Sequence, residues 1–112
     1  MKQTQLIKGV LEGAVLAIIG DGEKYGYEMI QALRAAGFES IVGGTLYPLL
    51  AKLEKNGEVA SQLRPSDTGP DRKYYHLTGA GRQSLAAFAQ QWEQLVAQVA
   101  TLLKGSLHDD EK

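Results

Sequence analysis

The residues that could do chemistry lie in two short stretches. One is Gly43-Gly44-Thr45-Leu46-Tyr47-Pro48, which leads into a leucine-regular run carrying Lys52 and Lys55. It offers a permissive backbone, an aliphatic hydroxyl, a phenol and two cations. The other is Arg72-Lys73-Tyr74-Tyr75, where cations adjoin phenols. Neither contains a nucleophile with its base. The two histidines, His76 and His108, have no serine partner in a recognisable arrangement. Gly20-Asp21-Gly22 alone is a turn, not a phosphate loop, and the carboxylates lack metal-ligand spacing. Catalysis is therefore not expected, and neither a metal nor a cofactor is implied. Hydroxyls, cations and the free N–H groups of a helix start instead suit contact with phosphate.

An element must hold the first stretch up. At 100° per residue, Leu46, Leu49, Leu50 and Leu53 form one stripe, and Tyr47, Pro48, Ala51, Lys52 and Lys55 fall opposite. That predicts a helix over 43–55 with a buried leucine face, stopped by Asn56-Gly57. Pro48 is read as lying in the first turn, where no intrahelical N–H bond is lost. Thr45 can cap the helix or send its hydroxyl outward. The exposed side then reads as a recognition face for a DNA groove. A blander reading of the same residues exists: a turn, a cap, a half-buried aromatic and a solvated lysine face.

The order of elements favours the first reading. Leu6, Ile7, Val10, Leu11, Ala14, Val15, Ile18 and Ile19 recur at helical spacing up to the breaker Gly20-Asp21-Gly22. A second helix is expected from Gly26 to Ala36, with Met29, Ile30 and Leu33 inward and Gly37 just past its end. After the third helix the period becomes two. Val59, Ser61 and Leu63 alternate with Ala60, Gln62 and Arg64, and Tyr75 and Leu77 alternate with Arg72, Tyr74 and His76. Pro65 to Asp71 is turn chemistry, which predicts a hairpin with a long polar tip. Thr78 looks like the N-cap of a last helix reaching Lys104 before Gly105. The fold class expected is mainly α with a small β-hairpin, a winged helix-turn-helix followed by a long helix. Residues 1–78 would form the DNA-binding unit, 79–104 the dimerisation helix and 105–112 an acidic tail around Asp109, Asp110 and Glu111.

The last helix carries Leu85, Phe88, Trp92, Leu95, Val99 and Leu102 at spacings of 3, 4, 3, 4 and 3, with Val96 and Leu103 widening the seam. This is a heptad stripe. About 27 helical residues span about 40 Å, more than this small domain can cover, so a second copy of the same helix is the simplest partner. A pure interaction adaptor using that helix is the alternative to DNA binding, but it would leave the 43–48 stretch and the wing idle.

Composition sets outer bounds. With 112 residues the chain is one domain, and 44% hydrophobic with 22% charged is ordinary for a soluble protein. A net charge of -1 argues mildly against a nucleic-acid binder. Lys52, Lys55, Arg64, Arg72 and Lys73 fall in the middle third, diluted there by Glu54, Glu58, Asp67 and Asp71. There is no run of about 18 apolar residues to cross a membrane and no secretory signal pattern at the start. The absence of cysteine fits a reducing cytoplasm.

Several of these motifs occur together in one known family. Tyr25-Gly26-Tyr27-Glu28, Gly44-Thr45-Leu46-Tyr47-Pro48-Leu49-Leu50 with Leu53-Glu54 and Gly57, Gly69-Pro70 with Arg72-Lys73-Tyr74-Tyr75, Leu77-Thr78 and Gly81 resemble the signature of the PadR family of bacterial transcriptional regulators. The likeness covers nearly the whole chain and is closest to the small members with a single C-terminal helix. It implies a homodimeric winged-helix repressor. Thr45, Leu46, Tyr47 and Pro48 would enter the major groove, with Gly44 allowing close approach and Lys52 on the same side. Arg72 and Lys73 of the wing would hold the backbone, and Tyr25 would lie near phosphate. The dimer would be built on Leu85, Phe88, Trp92, Leu95, Val96, Val99 and Leu102. The resemblance also suggests an effector. Trp92, flanked by the small Ala89 and Val96, could pair with its mate to sandwich a flat hydrophobic molecule, or could simply pack in the dimer core.

Overall fold

The computed structural model describes residue 7 and residues 9–107. Its elements are α1 (Leu11–Gly20), β1 (Lys24–Tyr25), α2 (Gly26–Ala35), α3 (Gly43–Lys55), β2 (Val59–Ser66), β3 (Gly69–Leu77) and α4 (Gly79–Leu107). The expected order of helices and hairpin is present. Leu6, the proposed start of the first helical run, and the acidic group 109–111 lie outside the described residues. The first run is not continuous: a turn at Gly9–Val10 precedes α1, and the Val10 N–H donates to the Ile7 carbonyl at 2.9 Å.

Apolar periodicity places the core. Val15, Leu16 and Ile19 of α1, Met29 and Leu33 of α2, and Leu46, Leu50 and Leu53 of α3 are buried together with Val59, Tyr75 and Leu77 of the sheet. Ile30 and Leu49 are half-buried at its margin. The turns behave as their glycines require. Gly37 and Gly57 take φ of 106° and 76°, just past the ends of α2 and α3, where a side chain would be strained.

The sheet departs from expectation in two ways. It has three strands in the order β1-β3-β2, because Lys24 and Tyr25 pair with Tyr75 and Tyr74. A two-residue strand leaves no periodic signal in a sequence. The hairpin tip is also shorter than its turn residues suggest. Pairing continues to Ser66 opposite Gly69, which leaves Asp67 and Thr68 to turn the chain. Pro65 has no N–H to give to the ladder, and the register shifts between Arg64 and Ser66.

The last helix starts as read. The Gly81 N–H donates to Thr78 Oγ1 at 3.0 Å, and that hydroxyl donates to the Gly57 carbonyl at 2.6 Å. Its end is a correction: Gly105 does not stop α4, which continues to Leu107. One glycine costs a helix only about 1 kcal/mol relative to alanine, too little to end one this long. Among the described residues, it is the first part of α4 that packs on the domain. Gly81 is buried, Leu85 packs on the core, and the Phe88 ring lies on Gly13 of α1. Beyond it Trp92, Leu95, Val96, Val99, Leu102 and Leu103 are exposed. Among the described residues no helix is long and apolar enough to cross a membrane.

Candidate nucleic-acid interface

The front of α3 is built on a glycine contact that sequence reading passed over. Gly26, the first residue of α2, is buried, and any Cβ there would collide with the Tyr47 ring and its hydroxyl. A side chain on Gly43 would meet the same ring at 3.1 Å. Tyr47 is thus braced on one side by two glycines while 51% of it remains exposed. Bracing fixes a large aromatic at little entropic cost. Gly26 was visible within the Tyr25-Gly26-Tyr27-Glu28 motif, but the close approach that demands it was not.

Three readings of this helix change. Leu46 is fully buried, so its side chain belongs to the core and not to an outward surface; helical period alone put it there. Val42 is the N-cap, and its carbonyl accepts from the Thr45 and Leu46 N–H groups. Thr45 is therefore not the cap, and its side chain is exposed. Pro48 is inside the helix rather than in its first turn. Having no N–H, it leaves the Gly44 carbonyl without its i+4 partner. Gly44, Thr45, Tyr47 and Pro48 are all exposed.

Tyr25 N-caps α2 in extended conformation, and the Glu28 carboxylate accepts its backbone N–H at 3.1 Å. This half of a capping box joins the start of α2 to the wing, because Tyr25 also pairs with Tyr74 in the sheet. The result is a cleft of about 320 Å³ lined by Tyr25, Gly26, Tyr47, Asp71, Arg72, Lys73 and Tyr75. The start of α2, the front of α3 and the wing thus share one surface.

The cations are more heavily engaged than their sequence positions suggest. Lys52 donates to Glu12 of α1 at 3.1 Å. Lys73 lies 3.3 Å from Glu54 of α3, and Arg64 is paired with Glu23. The Ser61 hydroxyl donates to Glu54; this bond and then Lys73 hold the Glu54 carboxyl below its usual range against partial burial. Glu54 in turn raises the Lys73 ammonium. Burial pushes the Tyr75 phenol upward. Exposed pairs of this kind contribute about 0–1 kcal/mol, so a phosphate can displace the carboxylate. Of the carboxylates that dilute the basic middle third, Glu54 is bonded to Lys73, while Lys52 and Arg64 take their partners, Glu12 and Glu23, from the first part of the chain.

Trp92, Ala89 and Val96 line one apolar hollow with Ala17, Leu85, Phe88 and Glu93, of about 470 Å³. The Trp92 and Phe88 rings are near-parallel, 14° apart in plane with centroids at 6.3 Å.

Among the described residues, three helices, a three-stranded sheet whose hairpin projects as a wing, and an appended long helix define a winged helix-turn-helix protein. Residues 15–87 match the transcriptional regulator PadR-like family, and the chain belongs to that family. A Streptococcus transcriptional regulator of known structure is 55% identical, covering 88% of this chain and 97% of its own, with a TM-score of 0.80. A PadR-like transcriptional regulator from Bacillus cereus is 42% identical over 89% of this chain and 97% of its own, with a TM-score of 0.82. Bacillus subtilis PadR, solved in complex with operator DNA, is 29% identical over 71% of this chain and 45% of its own, with a TM-score of 0.66.

Proposed function

We propose that this chain is a cytoplasmic DNA-binding transcriptional repressor that acts as a homodimer on a two-fold symmetric operator. The observation that carries the reading is the shared surface of α3, the start of α2 and the wing, with Tyr47 braced and exposed at its centre. The likeness to a PadR protein solved with its operator supports it. On this reading Gly44, Thr45, Tyr47 and Pro48 approach base edges, and Arg72 holds the backbone. Lys52 and Lys73 join after exchanging a carboxylate for a phosphate. Residues 1–78 form the DNA-binding unit and α4 the dimerisation unit, which sets two recognition helices about 34 Å apart, one turn of DNA. An adaptor working through α4 alone would give Tyr47 nothing to do.

Selecting duplexes from a random pool with the purified protein tests this. A palindromic site is expected; no enrichment would overturn the reading. On the selected duplex, Tyr47→Ala is expected to cost about 1–3 kcal/mol and to blur discrimination between sites. Thermal melting of the variant separates that loss from unfolding. Unchanged operator affinity would remove Tyr47 from the interface.

The same proposal includes a small, flat, apolar effector at Trp92. The hollow beside Trp92, Ala89 and Val96 supports it, and a stacking wall suits a planar ring. A ligand that favours one angle between subunits would change the spacing of the recognition helices, by no more than its difference in affinity for the two states. Titration with planar dyes should quench Trp92 fluorescence at about tens of micromolar or below, equivalent to roughly 6 kcal/mol of binding free energy or more. Trp92→Ala should abolish their binding. Dye binding that survives Trp92→Ala would place the site elsewhere.

A further inference from the structure

Four side chains on one face of the sheet form a row in which two stacked-on rings, Tyr74 and Tyr25, lie between two cations, Arg64 and Arg72. The Arg72 guanidinium stands 4.6 Å from the centroid of Tyr25, and the Arg64 guanidinium 4.9 Å from that of Tyr74. The two rings meet edge to face at 5.3 Å. The sheet register produces the row: Tyr25 pairs with Tyr74 across one ladder, and Arg64 with Arg72 across the other. Two like charges directly opposite each other destabilise a strand pair. Here they are drawn apart, Arg64 toward Tyr74 and Glu23, Arg72 toward Tyr25.

The two arginines end in different electrical states. Arg64 forms an ion pair with Glu23. Of the three cations that sequence reading assigned to DNA, Lys52 and Lys73 also have carboxylate partners. Arg72 has a ring face and one 3.5 Å contact to the Thr68 hydroxyl, and among the described residues no carboxylate in salt-bridge range. A π-face satisfies one side of a guanidinium but leaves its charge and its in-plane N–H fork available for bidentate contact with phosphate.

From this arrangement we infer that Tyr25 is a positioning residue for DNA binding: its ring seats Arg72, which is the wing's principal phosphate anchor. The inference rests on the DNA-binding reading above and refines it. Tyr25 then acts through the ring plane, not through a bond from its hydroxyl to phosphate. Because Tyr25 also caps α2, the seat ties the wing's anchor to the same helix start that braces Tyr47. One rigid junction thereby aligns backbone contact with base contact.

Affinity for the selected duplex and for a scrambled duplex, measured by fluorescence anisotropy across a potassium chloride series, tests this. Arg72→Ala should weaken binding to both duplexes and flatten the salt slope by about 0.9, one phosphate contact. Tyr25→Leu should weaken both by about three- to fivefold, and Tyr25→Phe should restore most of that loss. Tyr25→Leu added to Arg72→Ala should cost nothing further. If Tyr25→Phe falls as far as Tyr25→Leu, the hydroxyl is the working group and the seat is wrong. Additive losses in the double variant would also overturn it. The Tyr25→Phe arm keeps the ring and decides the question even if the leucine variant fails to fold. A wild-type protein that binds neither duplex would sink the DNA-binding reading itself, a different result from wild-type binding with a weak Tyr25→Phe.

Discussion

Gly81→Ala is expected to destabilise the protein by about 1–3 kcal/mol, the range for overpacking a tight contact. For a domain of this size each kcal/mol lowers the melting temperature by roughly 4–8 °C. On propensity alone the change should help, since alanine in a helix is worth about 1 kcal/mol over glycine. Geometry decides the sign. A methyl on Gly81 would run into the carbonyl oxygen of Glu58, which is backbone and cannot swing aside. That carbonyl also accepts the Thr78 N–H at 3.1 Å, and Thr78 caps α4 and reaches the Gly57 carbonyl. One small residue thus seals the junction of α3, the wing and α4. Gly105→Ala is the control in the same helix. It meets nothing within 4 Å, so propensity should rule and melting should stay level or rise. A Gly81→Ala protein that melts higher than wild type would show that α4 sits further from the domain than described.

Much of this architecture could be read from residue order, and the reasons differ by element. The helices were legible because their leucines and isoleucines repeat at the helical period, and the strands because Val59 to Arg64 and Arg72 to Leu77 alternate. Thr78 was legible as a cap because its side chain has only a local task. What stayed hidden depends on contacts between distant residues. Lys52 and Glu12 are 40 positions apart, and no local pattern announces that they pair. The same holds for Gly26 under Tyr47 and for Gly81 against Glu58. Leu46 shows the converse: the family likeness sent it to the groove, while its own periodicity had already placed it in the core. Pro65 and Gly105 misled because both are breakers by propensity, yet ladder pairing resumes past one and the helix runs on through the other.

Leu95→Asp combined with Leu102→Asp is expected to abolish self-association. The motive is an apolar stripe left exposed among the described residues: Trp92 is 45% exposed, Leu95 49%, Val99 44% and Leu102 74%. All lie beyond Phe88, whose ring rests on Gly13, on a helix of 29 residues. Such a stripe is more than monomers usually leave to water, and its heptad spacing matches a second copy of itself. In a two-fold dimer each substitution counts twice. Four buried leucines at roughly 1.5 kcal/mol each amount to about 6 kcal/mol, or about four orders of magnitude in the dissociation constant. Burial of four carboxylates would add to this. Sedimentation or light scattering at micromolar concentration should therefore find a monomer, or an unfolded chain if the subunit cannot stand alone. Binding to the palindromic duplex should weaken with it, because one subunit grips one half-site only, while affinity for a single half-site should persist in any folded monomer. A double-aspartate protein that remains a dimer would mean that subunits meet through another surface. In that case the hollow at Trp92 would open to solvent rather than to a mate, and effector coupling through the angle between subunits would lose its basis.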